Sequence, residues 1–271
     1  MYKLTMNIGE QLRFWRKHKN LSQLDLALES GVSNKHISFI ETERSKPSKQ
    51  MILTLCDVLN IPIRNRNEML SAAGFADHYT RTPIDHAEMS RLRQTLEIIL
   101  EKQEPYPLTV LDWEWNIILK NNAFDHITQT IRAEFPEFTS SMNIAELVLS
   151  PNGFKTFLQN WKEVAITTLR RLQQEQQESP GRHHKILNNL KNYPGVAELA
   201  LSATLERKSE PFIYVDFCMG EQTLKFLTTL TSFGTPIDIT AAEIMIESYY
   251  PADDDTRSYL EKAAAAESTS H

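Results

Sequence analysis

Leu21-Ser22-Gln23-Leu24-Asp25-Leu26-Ala27, then Gly31-Val32-Ser33, then Ile37-Ser38-Phe39-Ile40, reads as two short helices crossing at a tight bend. Ser22 is a suitable N-cap for the first helix, because its side-chain oxygen can accept from an orphan amide of the first turn. Gly31 suits a left-handed position just past that helix, where a Cβ would be crowded. Ser33 is an N-cap for the second. Crossing helices need a small residue where they touch, which Ala27 supplies, and Val32 and Ile37 fill the angle between them. The pattern predicts a helix-turn-helix. The second helix of such a unit can enter the major groove of DNA with its N-terminal residues at base edges.

The flanking sequence extends this into five helices. Ile8, Leu12 and Trp15 recur at helical spacing, and polar Asn20 follows. Beyond Pro47-Ser48, Met51, Leu55, Val58 and Leu59 form an apolar stripe closed by Asn60 and Pro62. A fifth helix is predicted from Arg66 to Ala73, stopping at Gly74. The chain as a whole carries a net charge of -6, but residues 1–76 hold 11 Lys/Arg and 7 Asp/Glu against 18 and 28 in the remainder. A mildly basic head on an acidic body fits a polyanionic partner for the head alone.

Residues 5–76 are thus read as an all-α DNA-binding domain. Residues 77–104 are a linker with a bridging helix marked by Met89, Leu92, Leu96, Ile99 and Leu100, and Pro105 and Pro107 end it. Residues 105–260 mix strands and helices, and 261–271 read as a flexible tail. The runs Leu108 to Leu111 and Trp115 to Leu119 predict a hairpin, and Phe154 to Glu175 one long helix. Ser179-Pro180-Gly181 predicts a loop. Phe212 to Met219, Thr223 to Phe233 and Glu243 to Tyr250 predict an antiparallel meander. The fold class is α+β.

With Leu12-Arg13, Arg16, Leu21-Ser22-Gln23, Leu26-Ala27, Gly31-Val32-Ser33, Ile37, Ile40-Glu41, Arg44 and Pro47-Ser48 in this order, the head resembles the xenobiotic-response-element family of helix-turn-helix regulators. The resemblance implies that Gln23 contacts a phosphate and braces the recognition helix. It also implies that Ser33, Asn34, Lys35, Ser38 and Phe39 lie at the groove. Asn can grip adenine and Lys can reach guanine, whereas Phe39 offers only an apolar face. His36 belongs either at the phosphate edge or on a solvated face. Arg44 and Lys46 would touch phosphates. Related proteins usually carry Gly where this chain has Glu43. The same resemblance sets Arg16 opposite Glu41 as a partly buried ion pair.

Further residues narrow the resemblance: Ser38-Phe39-Ile40-Glu41-Thr42, Ala72-Ala73-Gly74-Phe75, Glu104-Pro105-Tyr106-Pro107, Asn160-Trp161 and Pro251-Ala252-Asp253. They are similar to MmyB-like regulators, which join this head to a PAS-like ligand-binding domain of five antiparallel strands wrapped by helices. A long-chain fatty acid is the ligand type that resemblance implies. Trp115, Ile117 and Leu119 on one strand face, with Phe157, Trp161 and Val164 on one helix face, would line an apolar cavity. The blander alternative is ordinary core packing.

Several features are excluded or set aside. No Gly-rich phosphate loop, nucleophile elbow or metal-ligand spacing occurs, so no enzyme, metal or cofactor beyond a bound fatty acid is expected. Asp253-Asp254-Asp255 reads as the acidic first turn of the last helix, and Arg182-His183-His184 as an exposed loop. The two cysteines, Cys56 and Cys218, sit in apolar runs and read as small buried hydrophobes. No leader and no bilayer-length apolar run is seen, so a cytoplasmic protein without a membrane partner is expected. The expected partners are double-stranded DNA, an apolar small molecule and a second copy of the chain. The competing classes are an enzyme with a DNA-binding head and an antitoxin-like, DNA-bound interaction module with no ligand.

Overall fold

A computed structural model of the chain describes residues 6–139, 141–179, 182–205, 213–234 and 238–268. These fall into two compact units. The first comprises residues up to Thr82 together with the short stretch ending at Ala242, and the second holds the rest.

In the first unit, α1 (Ile8–His18), α2 (Gln23–Ser30), α3 (Asn34–Glu41), α4 (Lys49–Val58) and α5 (Ile63–Ala72) surround one core. Leu12, Trp15, Leu26, Ile37, Ile40, Ile52 and Leu55 are buried there. The caps follow the sequence. Ser22 and Asp25 form a reciprocal capping box, Ser33 Oγ accepts from the His36 amide at 3.2 Å, and Gly31 ends α2 at φ 70°. Asn20 and Asn60 close α1 and α4 in the left-handed region, which Asn tolerates better than most residues. Glu43, after α3, also has φ 60°. There a glycine would be relaxed and a glutamate is strained. Cys56 is buried as expected.

One contact was not anticipated. A Cβ built on Gly9 of α1 would stand 2.5 Å from the Ile40 carbonyl oxygen. Gly9 is therefore what lets α1 lie against the backbone of α3.

The second unit is built on a five-stranded antiparallel sheet. Its elements in chain order are α6 (Ser90–Gln103), β1 (Leu108–Leu111), β2 (Ile117–Lys120), α7 (Asn122–Glu134), α8 (Ile144–Leu149), α9 (Trp161–Glu178), α10 (His184–Leu190), α11 (Val196–Leu205), β3 (Ile213–Met219) and β4 (Gln222–Ser232). After α12 (Ile239–Glu243), whose residues up to Ala242 belong to the first unit, come β5 (Met245–Pro251) and α13 (Asp254–Ser268). The strand order is β2-β1-β5-β4-β3, the PAS-type arrangement. One face packs against the helices from α7 to α11 in the main core. The other face, with Leu108, Val110, Ile244 and Ile246, receives Leu96 and Leu100 of α6. Helix α6 thus covers the back of the sheet.

Several local readings need correction. Trp115 is not on β2. It occupies the turn at φ 68°, its amide donating to the Asp112 carbonyl at 3.0 Å. Ile117 pairs with Leu111 but Leu119 with Val110, so Ile118 is an extra residue and the strand bulges. One inserted residue flips the alternation. Ile117 accordingly joins the main core and Leu119 the back of the sheet. The predicted Phe154 to Glu175 helix is broken. Phe154 to Thr156 form a single 3-10 turn, and α9 starts at Trp161. Cys218 is only half-buried. Helix α13 also runs through Ser268, into the stretch read as a tail; Pro180, Gly181, Phe212 and the last three residues lie outside the described residues.

Gly9→Ala should force α1 away from α3 and destabilise the first unit by ~1–3 kcal/mol, the usual cost of overpacking a close contact. Hydrogen exchange of the α1 and α3 amides in the full chain measures it.

Candidate functional site

The outer face of α3 is the first candidate. Ser33, Asn34 and Lys35 are exposed at its start, and Ser38 and Phe39 are half-buried along it. Lys35 Nζ lies 5.6 Å above the Phe39 ring, an attraction between the cation and the negative ring face. Arg44 and Lys46 are exposed on the following loop. His36 is half-buried, and its Nε2 lies 3.3 Å from Ser45 Oγ. That contact ties α3 to the loop that carries Arg44 and Lys46.

Beneath this face, Glu41 is buried at 4% exposure and saturated with donors. Arg16 Nε donates to Oε1 at 2.6 Å and Arg16 Nη2 to Oε2 at 2.9 Å. Gln23 Nε2 donates to Oε2 at 2.9 Å, and Arg13 Nη2 to the Glu41 carbonyl at 2.7 Å. Burial pushes the carboxyl up, but the hydrogen bonds from Arg16 and Gln23 and the Arg16 charge outweigh it. Glu41 is held below the ordinary carboxylate value of 4.5. Gln23 therefore braces α3 through Glu41.

The second candidate is a cavity in the second unit, with about 70 Å³ open to the centres of water-sized molecules. Val164, Thr167, Thr168 and Arg171 line it from α9 at the spacing of one helix face. Phe217, Phe226, Glu247 and Tyr249 line it from the sheet, and Trp115 from the turn. Of the residues expected to line a cavity, Trp115 and Val164 stand on this wall. Ile117 packs in the main core without reaching the wall, and the bulge turns Leu119 to the back of the sheet. Phe157 stacks on Phe217, ring centroids 6.3 Å apart, outside the wall. Trp161 lies beyond it too, with its indole N–H donating to the Val148 carbonyl at 2.8 Å, so that donor is already used.

Trp115 is fixed by a cluster that the sequence reading missed. Glu175 of α9 accepts from Trp115 Nε1 at 3.1 Å and from Arg171 Nε at 3.0 Å. Arg182 Nη2 lies 3.1 Å and His183 Nε2 2.8 Å from it. Burial raises the Glu175 carboxyl, but His183 and the two arginines prevail and bring it to about 2. His183, expected in an exposed loop, is buried instead, at φ 58°. A buried carboxylate requires partners, and this stretch provides them. Among the described residues no group of three His, Cys, Asp or Glu side chains is placed to hold a metal ion. No helix among them is long and apolar enough to cross a membrane.

A family model described as the ligand binding domain of MmyB-like transcription regulators matches residues 92–263. A helix-turn-helix model matches residues 12–64. No curated protein matches the chain. Among solved structures, the PAS domain from Bordetella pertussis BvgS is similar at 12% identity, covering 66% of this chain and 99% of its own, with a TM-score of 0.28.

Glu41→Ala should cost the first unit ~3–5 kcal/mol by stranding the Arg16 charge. Because folding depresses the Glu41 pKa, its contribution is complete above 4.5 and is lost as pH falls through the folded value. Acid should therefore loosen α1 and α3 in the parent protein, and Glu41→Ala should lack that component. Amide exchange at graded pH checks both.

Proposed function

The chain belongs to the MmyB-like transcription regulators, and from that premise we propose that α3 reads an operator while the cavity of the second unit senses an elongated apolar molecule of fatty-acid type. The chain joins a DNA-binding helix-turn-helix to a ligand-binding domain. What carries the finer reading is the pairing, in one chain, of an exposed N-terminal face on α3 with an interior cavity walled largely by Phe, Val and Ile.

In this reading Asn34 and Lys35 address base edges, with Ser33, Ser38, Phe39 and His36 beside them, and Arg44 and Lys46 hold the phosphate backbone. Glu43 opposes that contact with its charge. One such head covers little DNA, so tight binding calls for two copies of the chain on an inverted repeat. The protein then works in the cytoplasm with the DNA. The occupied cavity changes operator affinity only as far as the ligand prefers one state of the protein.

Lys35→Ala should weaken specific binding by ~1–3 kcal/mol and relax preference at one base position, whereas Arg44→Ala should weaken all sequences alike. Footprinting and salt-controlled titration distinguish them, and unchanged operator affinity in Lys35→Ala would remove α3 from the groove. For the cavity, n-alkyl ligands of graded length should gain ~0.8 kcal/mol per methylene, about fourfold in Kd, until the chain outgrows the space. Calorimetry on delipidated protein reads this. No heat at any length would end the sensor reading in favour of a DNA-bound module that recruits a protein.

A further inference from the structure

The polar groups of the cavity are not arranged as a generic anion site. Among the described residues that line it, Arg171 is the one cation and Glu247 the one carboxylate. Arg171 is already engaged. Its Nε donates to Glu175 at 3.0 Å, its Nη2 lies 2.9 Å from Met245 Sδ, and its guanidinium stacks on Trp115 at 4.4 Å.

Glu247 is differently placed. It accepts from the Tyr249 hydroxyl at 2.9 Å, lies deep in the unit, and still keeps accessible surface on the cavity wall. An ionised carboxylate has two oxygens and about four acceptor positions. Burial holds the Glu247 carboxyl above its ordinary range despite the pull of Arg171 and Tyr249, the mark of a carboxylate short of donors. An incoming O–H or N–H would supply one. An incoming carboxylate would set a like charge beside Glu247, while Arg171, the one cation among the described lining residues, is bound to Glu175.

We propose that the cavity selects ligands with an apolar body and a polar end that donates a hydrogen bond and bears no negative charge, as in long-chain alcohols and amines, and that Glu247 is the acceptor that reads that end. This rests on the reading of the cavity as a sensor of an elongated apolar molecule, and it replaces the fatty-acid head group of that reading with a hydrogen-bond donor.

The test is calorimetric titration of the delipidated full chain with 1-dodecanol, dodecylamine and dodecanoate below their aggregation limits. The alcohol and the amine should bind at least tenfold tighter than the carboxylate. Glu247→Gln, which keeps the shape and removes the charge, should close most of that gap. Tyr249→Phe removes the internal donor and should leave the gap intact or wider, and it decides the matter if Glu247→Gln does not fold. Dodecanoate binding as tightly as the other two, or a gap indifferent to Glu247→Gln, or a gap narrowed by Tyr249→Phe, overturns the proposal alone. Silence from all three probes overturns the sensor reading and this one with it.

Discussion

Glu41 is a carboxylate taken out of water, and each of its oxygens must meet a donor or the fold pays the full cost of a bare charge. Meeting that demand fixes Arg16 and Arg13 on α1 and Gln23 on α2 against α3. The crossing of three helices is thereby set by one buried side chain. Gly9 completes the arrangement from the backbone side, since only a residue without Cβ fits against the Ile40 carbonyl. Glu175 repeats the device in the second unit, where its donors come from the β1–β2 turn, from α9 itself and from the stretch before α10. Trp115 stands on the cavity wall because Glu175 holds its indole.

The first unit was readable because its signals are short-range. Ser22, Gly31 and Ser33 each act within a few residues of themselves, and the helical period brings Leu12, Leu26, Ile37 and Leu55 into one core. Even there, Gly9 looked like any glycine, since what it touches lies on another helix. In the second unit the strands were legible from their apolar runs, but faces were not. The bulge at Ile118 leaves no mark in composition, yet it decides that Leu119 faces away from the cavity. Likewise Phe157, Trp161 and Val164 share a helical period that the break before Trp161 cancels. Glu175 and Trp115 are too far apart in sequence for any local pattern to join them.

The two candidate sites use charge in opposite ways. On α3 and its loop, Lys35, Arg44 and Lys46 stand in solvent, where a charge costs little and can be spent on a polyanion. In the cavity, Arg171 is matched by Glu175 before any ligand arrives. Glu43 departs from the pattern of the first site. It brings both a strained backbone and a negative charge to the loop that carries Arg44 and Lys46.

Strand β5 is shared property. Its residues alternate between the two faces, with Glu247 and Tyr249 in the cavity wall and Ile246 in the cluster that seats α6. Its neighbours hold it on both sides through the ladders to β1 and β4. A closely packed partition of this kind cannot be dented from one room without bulging into the other. Whatever presses on Glu247 therefore leans, through a single thickness of peptide, on the bed in which α6 lies.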